Sequence, residues 1–339
     1  MRKKTGRDLW EMYYHSMPGI IFELIQTEAM KRLKGIAMHC GCNYTKIPIQ
    51  RTKFYYNRFD HSVGTALIVW RFTKDIRQSI AALFHDIATP AFSHVIDFVN
   101  SDYETQESTE EYTRDFIEKS TEIMQILEKY DIDVDDVCDY HRYPIADNDS
   151  PKLSADRLEY TLSGAYAYGF SNLNQIAKII DDLVIVTNEA NEPEIGFKHI
   201  SAAVEFFNIC MQCSRVYVAD ETRLAMQYLA ELISLAIDEH ALSIYDLYKT
   251  EEFVIDKLKL NETTARCWKD FTKLKRLQKE RCANCFSAVV PAKKRYIMPL
   301  CNGIRIEDNS NDIKKAVQEF IKLDFGNELY IKCDNSLAE

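Results

Sequence analysis

The chain has 339 residues, 46% of them apolar and 28% charged, an ordinary globular composition that one large core or two modest ones can absorb. With a net charge of -10 and a pI near 5.4, a general nucleic-acid-binding surface is excluded, and an anionic ligand must find its positive charge locally. Only 10 Gly and 8 Pro argue for long regular elements, helices above all.

The N-terminal segment is basic but has no apolar stretch of the signal-peptide kind, and no run of about 18 apolar residues follows anywhere. A cytoplasmic location, no membrane association and reduced thiols for the 10 Cys are therefore expected. Residues 8–37 read as helices, with Ile21, Leu24 and Ile25 and then Met30, Leu33 and Ile36 on apolar faces. Residues 39–58 are irregular and polar. From Arg58 to Asp86 two helical runs follow: Val63, Leu67 and Trp70 recur at helical spacing, and so do Ile80, Leu83 and Phe84. His61 falls at the start of the first run and His85-Asp86 near the end of the second. Packed side by side, two such helices bring two imidazoles and one carboxylate to a single cation.

Residues 97–135 read as two further helices. The five aspartates between Asp131 and Asp139 read as a solvated turn and helix start. Residues 141–151 form a loop ending in Asn148-Asp149-Ser150-Pro151. Asp156 opens a third helical run with Leu158, Leu162 and Ala165 on one face, and offers a fourth ligand. Two His and two Asp make a mixed nitrogen and oxygen set that suits Mn, Mg, Fe, Ni or Zn and leaves positions open for water and substrate.

Residues 172–185 read as a helix, then 183–186 and 195–197 as a β-hairpin. Two long helices cover 199–239, and shorter helices 240–290. The basic run Lys269 to Arg281 reads as a solvated helix face. Cys210-x-x-Cys213 and Cys282-x-x-Cys285 read as buried small hydrophobes, since neither has a second ligand pair beside it. Strands at 295–300 and 304–306, a helix at 312–323 and a last strand at 328–332 form a small α+β appendage. The expected fold is mainly α, divided as a helical metal-binding core over 1–175, a helical continuation with the hairpin over 176–289, and the appendage over 290–339.

The ordered set His61, His85-Asp86 and Asp156 resembles the HD-domain metal-dependent phosphohydrolases. Arg58 to Gly64 (RFDHSVG) resembles the RFEHSLG block of the deoxynucleotide triphosphohydrolase branch. Phe84 to Ile87 and Ala91 to His94 resemble its HDLGHGPFSH block. Met30 to Ile36 resembles its QRLRGI segment, and Asp156 to Tyr160 its DKWDY. The likeness runs from about residue 20 to about residue 230 and implies an HD-type helical bundle. It implies that His61, His85, Asp86 and Asp156 hold a divalent cation, and that Arg58, Arg157 and Tyr160 contact substrate phosphates. Tyr217 stands near the sugar, and His94 with Asp97 near the phosphates as acid and orienter.

Several positions depart from that pattern. Thr89 stands for the second histidine of HDLGHG, and Gln106-Glu107 for a downstream His-Glu pair. Met38-His39 stands for the Gln-Leu pair that screens the deoxyribose, and Gly164 for the Asp that reads a sugar hydroxyl. His141 is the alternative acid. The expected activity is metal-dependent hydrolysis of a nucleotide, most like a deoxynucleoside triphosphate triphosphohydrolase, in a homo-oligomer. Two alternatives stand beside it: a phosphomonoesterase or phosphodiesterase with the same metal core, and a weakly catalytic nucleotide-binding regulator.

Overall fold

The computed structural model describes residues 7–103, 112–282 and 285–333. Helices α1 (Arg7–Tyr13), α2 (Gly19–Leu24) and α3 (Glu28–Arg32) lead into a coil with short 3-10 turns, and the coil ends at Asn57. There the Asn57 side chain accepts from the Asp60 amide and starts α4 (Arg58–Thr73). Lys74 ends α4 in the left-handed conformation, and Asp75 accepts the amides of Arg77 and Gln78 to start α5 (Ile76–Phe84). Two capping signals one residue apart therefore make a tight antiparallel hairpin. It brings the front of α4 beside the back of α5.

The short α6 (Val95–Val99), α7 (Thr113–Lys119) and α8 (Thr121–Lys129) follow. Ser154 caps α9 (Ala155–Tyr168) by accepting from the Arg157 amide, and Gly169, at φ +83°, closes it. α10 (Leu173–Asp182) runs into the hairpin β1 (Leu183–Thr187) and β2 (Pro193–Phe197), as expected. The long helices are α11 (Ile200–Tyr217) and α12 (Asp220–Asp238), followed by α13 (Glu251–Leu260) and α14 (Glu262–Phe271).

After α14 the backbone departs from the sequence expectation. The basic run leaves the helix at Phe271, and Leu277–Gln278 form β3. β4 (Cys285–Val289) occupies ground expected to be helical. Both pair with the last strand, β7 (Glu328–Lys332), in the order β3-β7-β4. A distant strand sets this conformation, and no local periodicity records it. β5 (Leu300–Cys301) and β6 (Ile304–Arg305) instead extend the hairpin sheet, β5 lying parallel to β2. Of the strand expected at 295–300, only the end pairs. α15 (Asn311–Ile321) completes the fold.

Two cores result. The first gathers α4, α5, α9, α10 and α11 and takes in Ile297, Met298, Ile313 and Phe320 from the tail. The second surrounds α12, α13 and α14 and takes in Leu329, Ile331 and Cys333. Residues 290–333 thus serve both cores. Cys210 and Cys213 are buried and free, as expected, whereas Cys282 and Cys285 are joined as a disulfide. The turn into β4 holds their Cα atoms 5.3 Å apart, within disulfide reach, which corrects the expectation of ten free thiols. Among the described residues no helix is long and apolar enough to cross a membrane.

Candidate metal centre

The hairpin of α4 and α5 sets two imidazoles edge to face, with His61 Nε2 3.1 Å from His85 Nε2. Asp86 Oδ2 lies 3.7 Å from the first nitrogen and 3.4 Å from the second. Asp156, in the first turn of α9, brings Oδ1 to 3.0 Å and 3.6 Å from them. Donor atoms about 2.1 Å from a shared ion and at right angles to one another lie about 3 Å apart, so these spacings are the edges of a coordination polyhedron. Asp156 is the most exposed of the four side chains, at 20%, so the open side lies toward it.

The outer contacts fix which nitrogens face inward. His85 Nδ1 donates to the Ala82 carbonyl at 2.7 Å, an atom that only accepts. His61 Nδ1 donates to Glu159 Oε2 at 2.6 Å. In neutral rings both Nε2 atoms therefore carry lone pairs, and they face each other and two carboxylates. That arrangement calls for a positive charge at its centre. The same demand appears in the titration of His61: burial holds it down, but Asp156 and Glu159 outweigh burial and push it up to about 10. A divalent cation fits this donor set; among the described residues His61, His85 and Asp86 are the group whose donor atoms all lie within 4.8 Å of one another.

Glu159 is itself buried and crowded with donors. Tyr56 donates to it at 2.5 Å, Tyr13 at 3.4 Å, and Ser163 also bonds it. Sequence reading missed Glu159; its signal is its position, one helical turn after Asp156 on the same face. Thr89, which stands where the resemblance has histidine, donates to Asp86 at 2.7 Å.

Arg58 is buried and gives Nη1 to both oxygens of Asp86 at 2.9 Å and Nε to Ser93 at 3.1 Å. Asp86 titrates far below the usual carboxylate range: burial opposes this, and Arg58 and the two histidines overcome it. Among the described residues Arg58 Nη2 makes no hydrogen bond, and the side chain lines the cavity beyond the histidines. Arg157 is committed otherwise. Its Nη1 reaches Asn148, Ser154 and Asp147, and its Nη2 bonds the Asn148 carbonyl, so it fastens the 147–154 loop to α9.

That cavity measures about 800 Å³. His94 lines it and donates Nδ1 to the fully buried Asp97 at 2.9 Å. Burial holds His94 below its ordinary pKa, with Arg295 and Arg58 adding to the effect against the Asp97 bond. His141 lines the same cavity but is 56% exposed, between Asp139 at 3.2 Å and Asp147 at 3.6 Å. Tyr160 and Tyr217 pack edge to face, 6.4 Å between centroids, on another wall. The tail adds Lys293, Lys294 and Arg295 to the lining. These three basic residues in a row were legible as charge but not as part of the site. Gln106-Glu107 lie outside the described residues.

Comparison with known proteins agrees with this geometry. The HD domain family model matches residues 58–184, which contain all four ligand candidates. The chain is 30% identical to YdhJ of Bacillus subtilis over 253 residues, 73% of each protein. It is also 30% identical to the metal-dependent phosphohydrolase cns2 of Cordyceps militaris over 164 residues, 48% of this chain and 46% of that one. Among solved structures, a phosphohydrolase from Bacteroides thetaiotaomicron superposes with a TM-score of 0.61 at 14% identity, covering 95% of this chain and 97% of its own.

Proposed function

Because the chain belongs to the HD-domain family of metal-dependent phosphohydrolases, we propose that it hydrolyses a phosphoester or phosphoanhydride bond of a nucleotide in the cavity beside His61 and His85. The observation that carries this reading is the convergence of two imidazoles and two carboxylates at one end of a cavity that also holds Arg58, Arg295 and a pair of tyrosines. A cavity of about 800 Å³ is in the range of nucleotide-sized sites.

His61, His85, Asp86 and Asp156 hold the divalent cation. Bound there, the cation supplies acidity to a water and neutralises phosphate charge. Glu159 orients His61 and keeps its Nε2 as a ligand atom. Arg58 fixes Asp86 with one nitrogen and offers Nη2 to a phosphate oxygen. The Lys293–Arg295 segment supplies the remaining positive charge that a net-acidic protein must provide locally. His94, oriented by Asp97, gives a proton to the leaving oxygen. Tyr160 and Tyr217 form the wall for the sugar and base. Arg157 acts indirectly, by holding the loop that carries Asp147.

The test is a hydrolysis screen of nucleoside mono-, di- and triphosphates with Mn²⁺, reading phosphate, pyrophosphate and triphosphate separately. Turnover that requires metal and is lost in Asp156→Ala supports the proposal. Turnover of simple phosphomonoesters with none of any nucleotide contradicts the nucleotide part.

A further inference from the structure

His39 lines the same cavity, is 8% exposed, and has a buried Nε2 without a hydrogen-bond partner. It stands one ring away from the metal centre: Tyr56 packs against it edge on, donates to Glu159, and Glu159 accepts from His61. A buried polar atom without a partner is costly and calls for an explanation.

The polarity of that nitrogen follows from a chain of hydrogen bonds anchored on a backbone carbonyl. Val216 O can only accept, so the Thr222 hydroxyl donates to it at 2.7 Å. Thr222 Oγ1 must then accept from Gln50, which orients the amide with Nε2 toward it at 2.5 Å. Gln50 Oε1 points the other way and accepts from the Tyr168 hydroxyl at 3.3 Å. Having spent its only proton, Tyr168 can only accept from His39, whose Nδ1 lies 3.1 Å away. So Nδ1 carries the ring proton and Nε2 is a bare lone pair. The ring stays neutral at pH 7, because burial, with Arg58 nearby, holds its pKa down to about 4. Tight backbone follows it at once, with Cys40 at φ +50° and Gly41 at φ +74°, so the ring sits on a rigid turn.

We propose that His39 Nε2 is a specificity-determining acceptor for a substrate hydroxyl, so that the site selects a phosphate compound whose sugar moiety presents an O–H to this wall. Four residues from separate elements are spent on setting one tautomer, and its lone pair lies unpartnered in the cavity wall that also carries Tyr168 and Thr222. The proposal rests on the reading of the cavity as a nucleotide site.

Two measurements separate the two claims. The first uses no substrate: ¹⁵N spectra of histidine-labelled protein at pH 7 report the His39 tautomer. A protonated Nδ1 with an unprotonated Nε2 is expected, and a protonated Nε2 overturns the proposal. The second compares adenosine triphosphate with its 2′-deoxy, 3′-deoxy and 2′,3′-dideoxy analogues, in wild type, His39→Leu and Tyr168→Phe. Loss of the hydroxyl that is read should lower kcat/KM on the order of 10- to 100-fold in wild type. The discrimination should collapse to within about threefold in His39→Leu and shrink in Tyr168→Phe. Equal rates for all four nucleotides in wild type, or undiminished discrimination in a folded His39→Leu, overturn it. If no nucleotide is bound or turned over, the nucleotide reading fails, and the tautomer measurement still decides whether His39 presents an acceptor.

Discussion

Gly64 of α4 lies directly beneath Glu159 of α9: a Cβ at position 64 would fall 2.7 Å from Glu159 Cγ and 2.8 Å from its Oε1. The two helices approach this closely because residue 64 has no side chain. The approach lets Glu159 reach over to His61. Gly64→Ala should therefore displace the carboxylate and weaken Mn²⁺ binding about 10- to 100-fold, as loss of an outer-shell partner does elsewhere. Chelator competition measures it, with Glu159→Gln as the companion variant. Unchanged affinity in both would show that Glu159 does not tune the centre.

Arg58 and Asp86 form a fully buried pair, so removing the cation side leaves a buried charge alone. In metal-free protein Arg58→Gln should cost about 3–5 kcal/mol of stability, and added Mn²⁺ should restore part of it by replacing the lost charge. Arg157→Gln should behave differently. Its partners are in the 147–154 loop, so it should loosen that loop, seen as faster proteolysis there, with a smaller effect on phosphate affinity. Equal losses of phosphate affinity in the two variants would speak against this division.

His94 and His141 divide on geometry. His94 is mostly buried and tied to Asp97, whereas His141 is mostly exposed. His94→Ala should lower kcat by about 10²–10⁴-fold, Asp97→Asn by less, and His141→Ala least. A dead His141→Ala beside a near-normal His94→Ala reverses the assignment.

Glu251 gives a pH prediction remote from the metal ligands. Burial raises it from 4.5 to about 7, against hydrogen bonds from Tyr44 and the Ala37 amide. Between those values the native state binds the proton and the unfolded chain does not. The contribution to stability is therefore fully present below the unfolded value and is lost as pH rises through about 7. Glu251→Gln keeps an oxygen for both donors and never ionises. Its stability relative to wild type should grow as pH rises from about 5 to 8, by about 3 kcal/mol at most. Urea melts across that range measure it, and a pH-independent difference contradicts it.

The helical frame of the site was legible because each element announces itself locally. Asn57, Asp75 and Ser154 are capping residues at the helix starts, and the apolar spacings of α4, α5 and α9 repeat at helical period. His61, His85, Asp86 and Asp156 therefore fell where pattern put them. Glu159 was not legible, because its role depends on the depth at which α9 crosses Gly64, which is a packing fact. Arg157 was read toward phosphate from its place beside Asp156, but the loop at Asn148 takes its nitrogens. The β3-β7-β4 sheet was hidden for a related reason: β7 lies about 50 residues from its partners, and the basic run before β3 mimics a solvated helix. The role of Lys293–Arg295 likewise depends on the tail folding back over the cavity.

The most direct test of the metal centre is equilibrium dialysis of Mn²⁺ against the chelator-stripped full chain and its Asp86→Ala and Asp156→Ala variants, with folding checked by circular dichroism. One tightly bound equivalent in the native protein, and loss of most or all of it in both folded variants, is the expected result. A full equivalent retained in either variant contradicts the assignment of His61, His85, Asp86 and Asp156 as the ligands.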